Sequence, residues 1–181
     1  MTLHLIVVHG PPGIGKDAIA GRLATRLAYR YLNYHRMMEE LGAVFGWATP
    51  PYLHVRDAVV RAVQEAILAT EWPGLVWTTI FEPTLDVEGW NELFAKVDRA
   101  LVVDLRASAT EHARRLASDG RRAAGKGAKA ADIAPLVDDG TFAVPAVTAP
   151  VFVLDTTDLT ANQAVDAIMR RIDETDEQPE R

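Results

Sequence analysis

Gly10-Pro11-Pro12-Gly13-Ile14-Gly15-Lys16 follows directly on the β-prone run Leu3 to Val8 and precedes residues with helical periodicity. Its spacing is G-x-x-x-x-G-K, in the strand-before, helix-after setting that gives the pattern physical meaning. The glycines let the loop wrap so that successive backbone N–H groups point inward at the positive end of the helix, forming an anion nest. Lys16 would reach the β- and γ-phosphates of a nucleotide. A Ser or Thr hydroxyl normally follows such a lysine and coordinates Mg²⁺, but here the next residues are Asp17 and Ala18. Three readings of Asp17 stay open. It bridges the phosphates through Mg²⁺, for which a carboxylate is a good hard-oxygen ligand. It turns away as a favourable charge at the helix N-terminus. Or it faces phosphate bare, where two unit charges 4 Å apart repel by on the order of 4 kcal/mol at an effective dielectric near 20 and cripple the site.

Three further groups converge on the same rim. Glu82 follows the predicted strand Leu75 to Phe81, where a carboxylate can serve Mg²⁺ or the attacking group. His35 and Glu39 lie four apart, so on a helix they share a face, and His35 could contact an acceptor or act as base. Arg114, Arg115, Arg121, Arg122 and Lys126 can neutralise a transferring phosphoryl group, whose spread charge suits forked guanidinium donors. Each has a plainer reading: a solvated loop acid, a hydrogen-bonding histidine, a solvated basic face. Trp47, Tyr52 and Trp77 could line an acceptor pocket or belong to the core.

The elements that must position these residues follow from periodicity. Ile19, Leu23 and Leu27 recur every four positions after Lys16, with Arg22, Arg26 and Arg30 as a second, basic stripe. Tyr31 to Tyr34 is a short strand. Pro50-Pro51 opens a long helix with Val55, Val59, Val63, Ala66 and Ile67 on one face. Helix Gly89 to Val97, strand Ala100 to Leu105 and helix Ser108 to Ala117 come next, the last with Ser108 and Glu111 at capping-box spacing. Gly120 to Lys129 has no apolar periodicity and reads as a basic loop. Pro150 introduces strand Val151 to Leu154, and Thr160 with Gln163 caps a terminal helix bearing Val165, Ile168, Met169 and Ile172. Alternating strands and helices require parallel pairing by right-handed crossovers. The expectation is an α/β fold of about five parallel strands with helices on both faces and ligands at the strands' carboxyl ends.

Composition limits the alternatives. The 181 residues carry 19 Lys+Arg against 25 Asp+Glu, a net charge of −6, with 49% apolar residues and no Cys. One domain with a small insertion fits that length. Disulfides, thiolate metal sites and Cys nucleophiles are excluded. Met1-Thr2-Leu3-His4 lacks the basic region of a signal peptide, and the apolar runs are strand-sized, so the reading is cytoplasmic with no membrane partner. Between Arg106 and Lys129, seven basic residues stand against two acidic ones, while the remainder is acidic and argues against a nucleic-acid footprint.

Taken together, the loop GPPGIGK, the segment Leu32-Asn33-Tyr34-His35, the strand Thr78 to Phe81 leading to Glu82-Pro83, Gly120 to Lys126 and Leu154 to Thr157 resemble the P-loop small-molecule kinases of the nucleoside-monophosphate kinase and shikimate kinase type. More narrowly, the chain resembles a bacterial AAA-type ATPase/shikimate-kinase-like group. The likeness runs from about Leu3 to Ile172. It implies a P-loop NTPase three-layer α/β/α sandwich, a domain over 1–172 with a lid at about 118–130, and a charged tail over 173–181. It also implies ATP and Mg²⁺, with Gly10, Pro11, Pro12, Gly13, Ile14, Gly15, Lys16, Asp17 and Ala18 around the phosphates. Arg121 is then the lid arginine, Arg114 the arginine at the lid base, and Asp155 and Thr156 lie near the adenine. Asp17 and Glu82 are the metal candidates, and Lys16, Arg121, Arg114, Glu82 and His35 the catalytic ones. The acidic pair that shikimate kinases place after the second strand and their glycine triplet after the third are both absent. The expected activity is ATP-dependent phosphoryl transfer to a small hydroxyl- or phosphate-bearing acceptor, by a monomer or homodimer. Its rivals are a non-catalytic nucleotide-binding sensor and a nucleic-acid-end kinase.

Overall fold

The alternation of strand and helix builds β1 (His4–His9), α1 (Lys16–Leu27), β2 (Arg30–Asn33), α2 (Tyr34–Phe45), α3 (Pro50–Leu68), β3 (Gly74–Thr78) and α4 (Val87–Lys96). It continues with β4 (Arg99–Arg106), α5 (Ala109–Leu116), α6 (Ala130–Asp138), β5 (Val151–Asp155) and α7 (Ala161–Asp176). This is a computed structural model, and it describes residues 3–118 and 130–176. The strands form one parallel sheet in the order β2-β3-β1-β4-β5. β1 is central, with β3 on one side and β4 on the other, so successive crossovers leave in opposite directions and open a ligand crevice at its carboxyl end.

All six residues of β1 are buried, because helices cover both faces of the sheet. The strand's two-residue period divides them between two cores. Leu5 and Val7 join Met38 of α2, Val60 and Ile67 of α3, Trp77 of β3, and Trp90 and Leu93 of α4. Ile6 and Val8 join Ile19 and Leu23 of α1 with Val165, Ile168 and Ile172 of α7. Each fully buried aliphatic side chain contributes roughly 1.5–3 kcal/mol, so the two clusters hold the sheet rigid behind the crevice. Caps set where helices begin: Asn33 accepts from Arg36 N, Thr49 from Tyr52 N, Asp86 from Gly89 N and Ser108 from Glu111 N. Thr160 and Gln163 form the reciprocal pair that their spacing implies.

The structure departs from the sequence expectations at defined places. β3 stops at Thr78 rather than Phe81, since its neighbours β1 and β2 end at His9 and Asn33 and leave no ladder beyond. Glu82 therefore stands on a loop, four residues past the strand. Helix α2 places His35 and Glu39 on one helix, as their spacing allows, although the sequence does not announce its full length. Helix α6 is unannounced, with Pro135 in its interior. The terminal helix runs to Asp176, past the expected tail boundary at 173. Arg30 belongs to β2, where its guanidinium lies 5.7 Å from the Trp72 ring centroid, rather than to the α1 stripe. The basic loop Gly120 to Lys129 lies outside the described residues. Among the described residues, no helix is long and apolar enough to cross a membrane.

Candidate functional site

The crevice at the end of β1 is floored by the glycine loop. Gly10, Gly13 and Gly15 have φ of 143°, 84° and 111°, backbone states that side chains resist. At Gly10 the restriction is double, because a Cβ would also sit 2.8 Å from the Leu105 carbonyl oxygen. Lys16 opens α1 and lies back across the loop, Nζ donating to the Gly10 and Pro11 carbonyls at 2.6 and 2.9 Å.

Helix α5 braces this loop from outside. His112 Nε2 lies 2.8 Å from the Pro12 carbonyl oxygen. Arg115 Nη1 donates to the Ile14 carbonyl and to Thr156 Oγ1, both at 2.8 Å, and Nη2 donates to the Thr156 carbonyl at 2.5 Å. Thr156 is thus tied to the phosphate loop through one guanidinium. Asp155 instead accepts from the Thr157 hydroxyl and amide, which hold its carboxyl below the usual range. Arg114 and Arg115 diverge because adjacent helical residues point about 100° apart. Arg114, 71% exposed, forks onto Glu111, whereas Arg115, 18% exposed, faces the loop. Arg121, Arg122 and Lys126 lie outside the described residues.

Asp17, on the first turn of α1, lies beside the Tyr31 hydroxyl, to which Asn33 Nδ2 donates at 3.1 Å. Burial and the Asp17 carboxylate both push the Tyr31 phenol upward. Among the described residues no group of three or more metal-ligating side chains gathers. Nucleotide-bound Mg²⁺ takes most of its ligands from phosphates and water with one or two carboxylates, and Asp17, at the start of α1, is the carboxylate of this loop that could supply one.

Glu82 is placed differently. Its Oε2 accepts from Arg56 Nη1 at 3.2 Å, and Arg56 is completely buried. Burial raises the Glu82 carboxyl, Asp57 adds to the rise, and Arg56 opposes it. Tyr34, at the start of α2, and Tyr52, in the first turn of α3, adjoin this pair, and burial pushes both phenols up. Trp47, in the turn between α2 and α3, stacks on His35 with centroids 5.8 Å apart and planes 13° apart, and lies 5.2 Å from the Tyr52 ring. His35 therefore meets the aromatic rim, while Trp77 is core.

A buried histidine joins the two sides. His9 Nδ1 accepts the Phe81 N–H at 3.1 Å, which makes Nε2 the protonated nitrogen, donating to the Phe142 carbonyl at 2.9 Å. Burial lowers its pKa to about 4, opposed by the Phe142 bond and by Asp104. The end of β1 is so pinned both to the segment carrying Glu82 and to the chain returning after α6.

Sequence reasoning does not find Arg56 or His112, names Arg115 only as one of five phosphate-neutralising cations, and gives His9 and Tyr34 no role of their own. The signal for Arg56 was a stripe: the buried face of α3 is Tyr52, Arg56, Val60, Gln64 and Ile67, one position round from the expected valine face, and Ala66 is exposed. A polar residue recurring at helical spacing inside an apolar stripe is a mark of a buried network.

No protein-family model matches the chain, and no curated protein matches it. Solved structures do. A candidate kinase from Chloroflexus aurantiacus j-10-fl superposes with a TM-score of 0.69 at 22% identity, covering 96% of this chain and 97% of that one. Shikimate kinase from Acinetobacter baumannii in complex with shikimate gives 0.67 at 18%, covering 96% and 95%. A gluconokinase from Sinorhizobium meliloti 1021 gives 0.64 at 15%, covering 98% of each. The fold is that of the P-loop small-molecule kinases, of the nucleoside-monophosphate kinase and shikimate kinase-like type.

Proposed function

We propose that the protein is an ATP-dependent kinase that transfers the γ-phosphoryl group of ATP to an oxygen of a small acceptor. The observation that carries this reading is the loop: three glycines in left-handed conformations lead from a central strand into α1, with Lys16 laid across them. The kinase fold of the structural neighbours supports it.

In this scheme Lys16 exchanges the Gly10 and Pro11 carbonyls for β- and γ-phosphate oxygens, and the backbone N–H groups of 13–17 close around them. His112 and Arg115 keep the loop in shape while it binds. Asp17 would hold Mg²⁺, which supplies charge neutralisation between the phosphates. On the opposite side Glu82 orients the acceptor hydroxyl and takes its proton as the new P–O bond forms and the bond to the ADP oxygen breaks. A carboxyl raised by burial is a better base near neutral pH than a solvated one. His35 and Trp47 line the acceptor's approach. Catalysis is positioning and charge stabilisation, with little covalent chemistry for the protein to perform. The test is ADP formation across a panel of small hydroxyl and phosphate acceptors. Acceptor-dependent ADP that vanishes in Lys16→Ala supports the kinase, and ADP formation unaffected by every acceptor removes it.

A further inference from the structure

Asp17 stands where a short hydroxyl is usual, and its longer, charged side chain needs a second contact to keep one orientation beside phosphates that repel it. The structure supplies one. Tyr31, on β2, lays its ring along α1 at Gly21, where a Cβ would stand 3.9 Å from the ring. Gly21 comes one turn after Asp17 on the same face of the helix, so the phenol reaches the Asp17 carboxylate and is hydrogen-bonded to it. The direction of that bond is fixed from the other side. Asn33 Oδ1 accepts the Arg36 N–H at 3.1 Å, which caps α2 and turns Nδ2 to donate to the Tyr31 hydroxyl, also at 3.1 Å. Thr78 is a further side-chain partner of the same hydroxyl. A phenol has one proton and a carboxylate only accepts, so the Tyr31 proton goes to Asp17.

We propose that Tyr31 is the positioning residue for the nucleotide's metal. A carboxylate has two oxygens, so Asp17 can keep the phenol on one while the other turns to nucleotide-bound Mg²⁺, the kind of orienting bond that ligating carboxylates carry. Through Asn33 the same chain of hydrogen bonds ends on the first turn of α2, the helix that carries His35. The inference rests on the kinase reading and adds to it a residue that touches neither nucleotide nor acceptor.

The test is calorimetry of ATP into the full chain, with Mg²⁺ and with chelator. Tyr31→Phe keeps the ring on Gly21 and removes only the hydroxyl, and circular dichroism checks its fold. It loses about tenfold in affinity with Mg²⁺ beyond any loss with chelator. A ring that merely packs would lower both titrations alike. Asp17→Ser removes the carboxylate, and in that background Tyr31→Phe takes nothing further from the Mg²⁺ effect. A Mg²⁺ effect equal in the parent and Tyr31→Phe overturns the proposal and leaves the kinase reading standing, as does the same loss in the Asp17→Ser background. So does a parent whose ATP binding gains nothing from Mg²⁺. A parent that binds no ATP removes the kinase reading, and the proposal with it.

Discussion

On the phosphate side of the crevice, seven consecutive residues form the loop, and backbone amides and carbonyls make most of its contacts. On the side proposed for the acceptor, Tyr34, Trp47, Tyr52, Arg56, Asp57 and Glu82 come from α2, α3, the turn between them and the loop after β3, and side chains make most of the contacts, with the Thr84 carbonyl the backbone exception. The first wall is fixed by where glycine is allowed, and it suits a ligand part common to all nucleotides. The second is fixed by packing and by a buried charge network, and it can be re-cut for a different acceptor without touching the first. On the kinase reading the fold separates a general task from a specific one, and the two walls should fail differently.

Arg56→Ala should show the largest effect. It removes a fully buried side chain and the hydrogen bonds that tie two part-exposed carboxylates, a loss of on the order of 2–4 kcal/mol. Thermal or urea unfolding would read it, and a variant as stable as the parent would mean that the acceptor wall is not held by this network. Lys16→Ala should leave folding nearly intact and instead lower phosphoryl transfer by about 10²–10³-fold, the usual consequence of losing one preorganised donor to developing charge. A strong loss of stability there would blur the contrast between the walls.

Acid should weaken the joint between them. His9, at that joint, and His4, at the other end of β1 beside Tyr29, each have a folded pKa of about 4 against an ordinary 6.5, chiefly through burial. The unfolded chain therefore binds their protons first, so stability is complete above about 6.5 and is lost as pH falls toward 4. Each histidine accounts for on the order of 2–3 kcal/mol of that loss. His9→Gln, which keeps a donor toward Phe142, should flatten part of the slope in a pH series of unfolding curves. Arg115→Ala is the mildest change, loosening the brace between Ile14 and Thr156 and lowering nucleotide affinity by about tenfold, with a small stability effect.

The fold was legible because its signals are local and redundant: buried runs for strands, four-residue periods for helices, capping pairs at Ser108 and Thr160. The glycine loop was legible for a related reason, since its glycines and Lys16 are contiguous and each has a backbone cause. The acceptor wall was not. Arg56 sits in a helix whose valines suggest an ordinary apolar face, and its partners Glu82 and Thr84 are 26 and 28 residues away. Arg114 and Arg115 show a finer limit. The resemblance implies Arg114 as the arginine at the lid base, but the helix phase turns its neighbour Arg115 toward the loop instead. Thr78, rather than Phe81, ends β3 because strands it does not adjoin in sequence stop first.

Calorimetric titration of ATP into the parent protein and into Lys16→Ala, each with Mg²⁺ and with chelator, tests the central claim most directly. The account predicts one ATP per chain for the parent, tightened by Mg²⁺ through Asp17, and binding weakened at least about tenfold in the variant. Equal binding by the two proteins, or no binding by the parent, would contradict it.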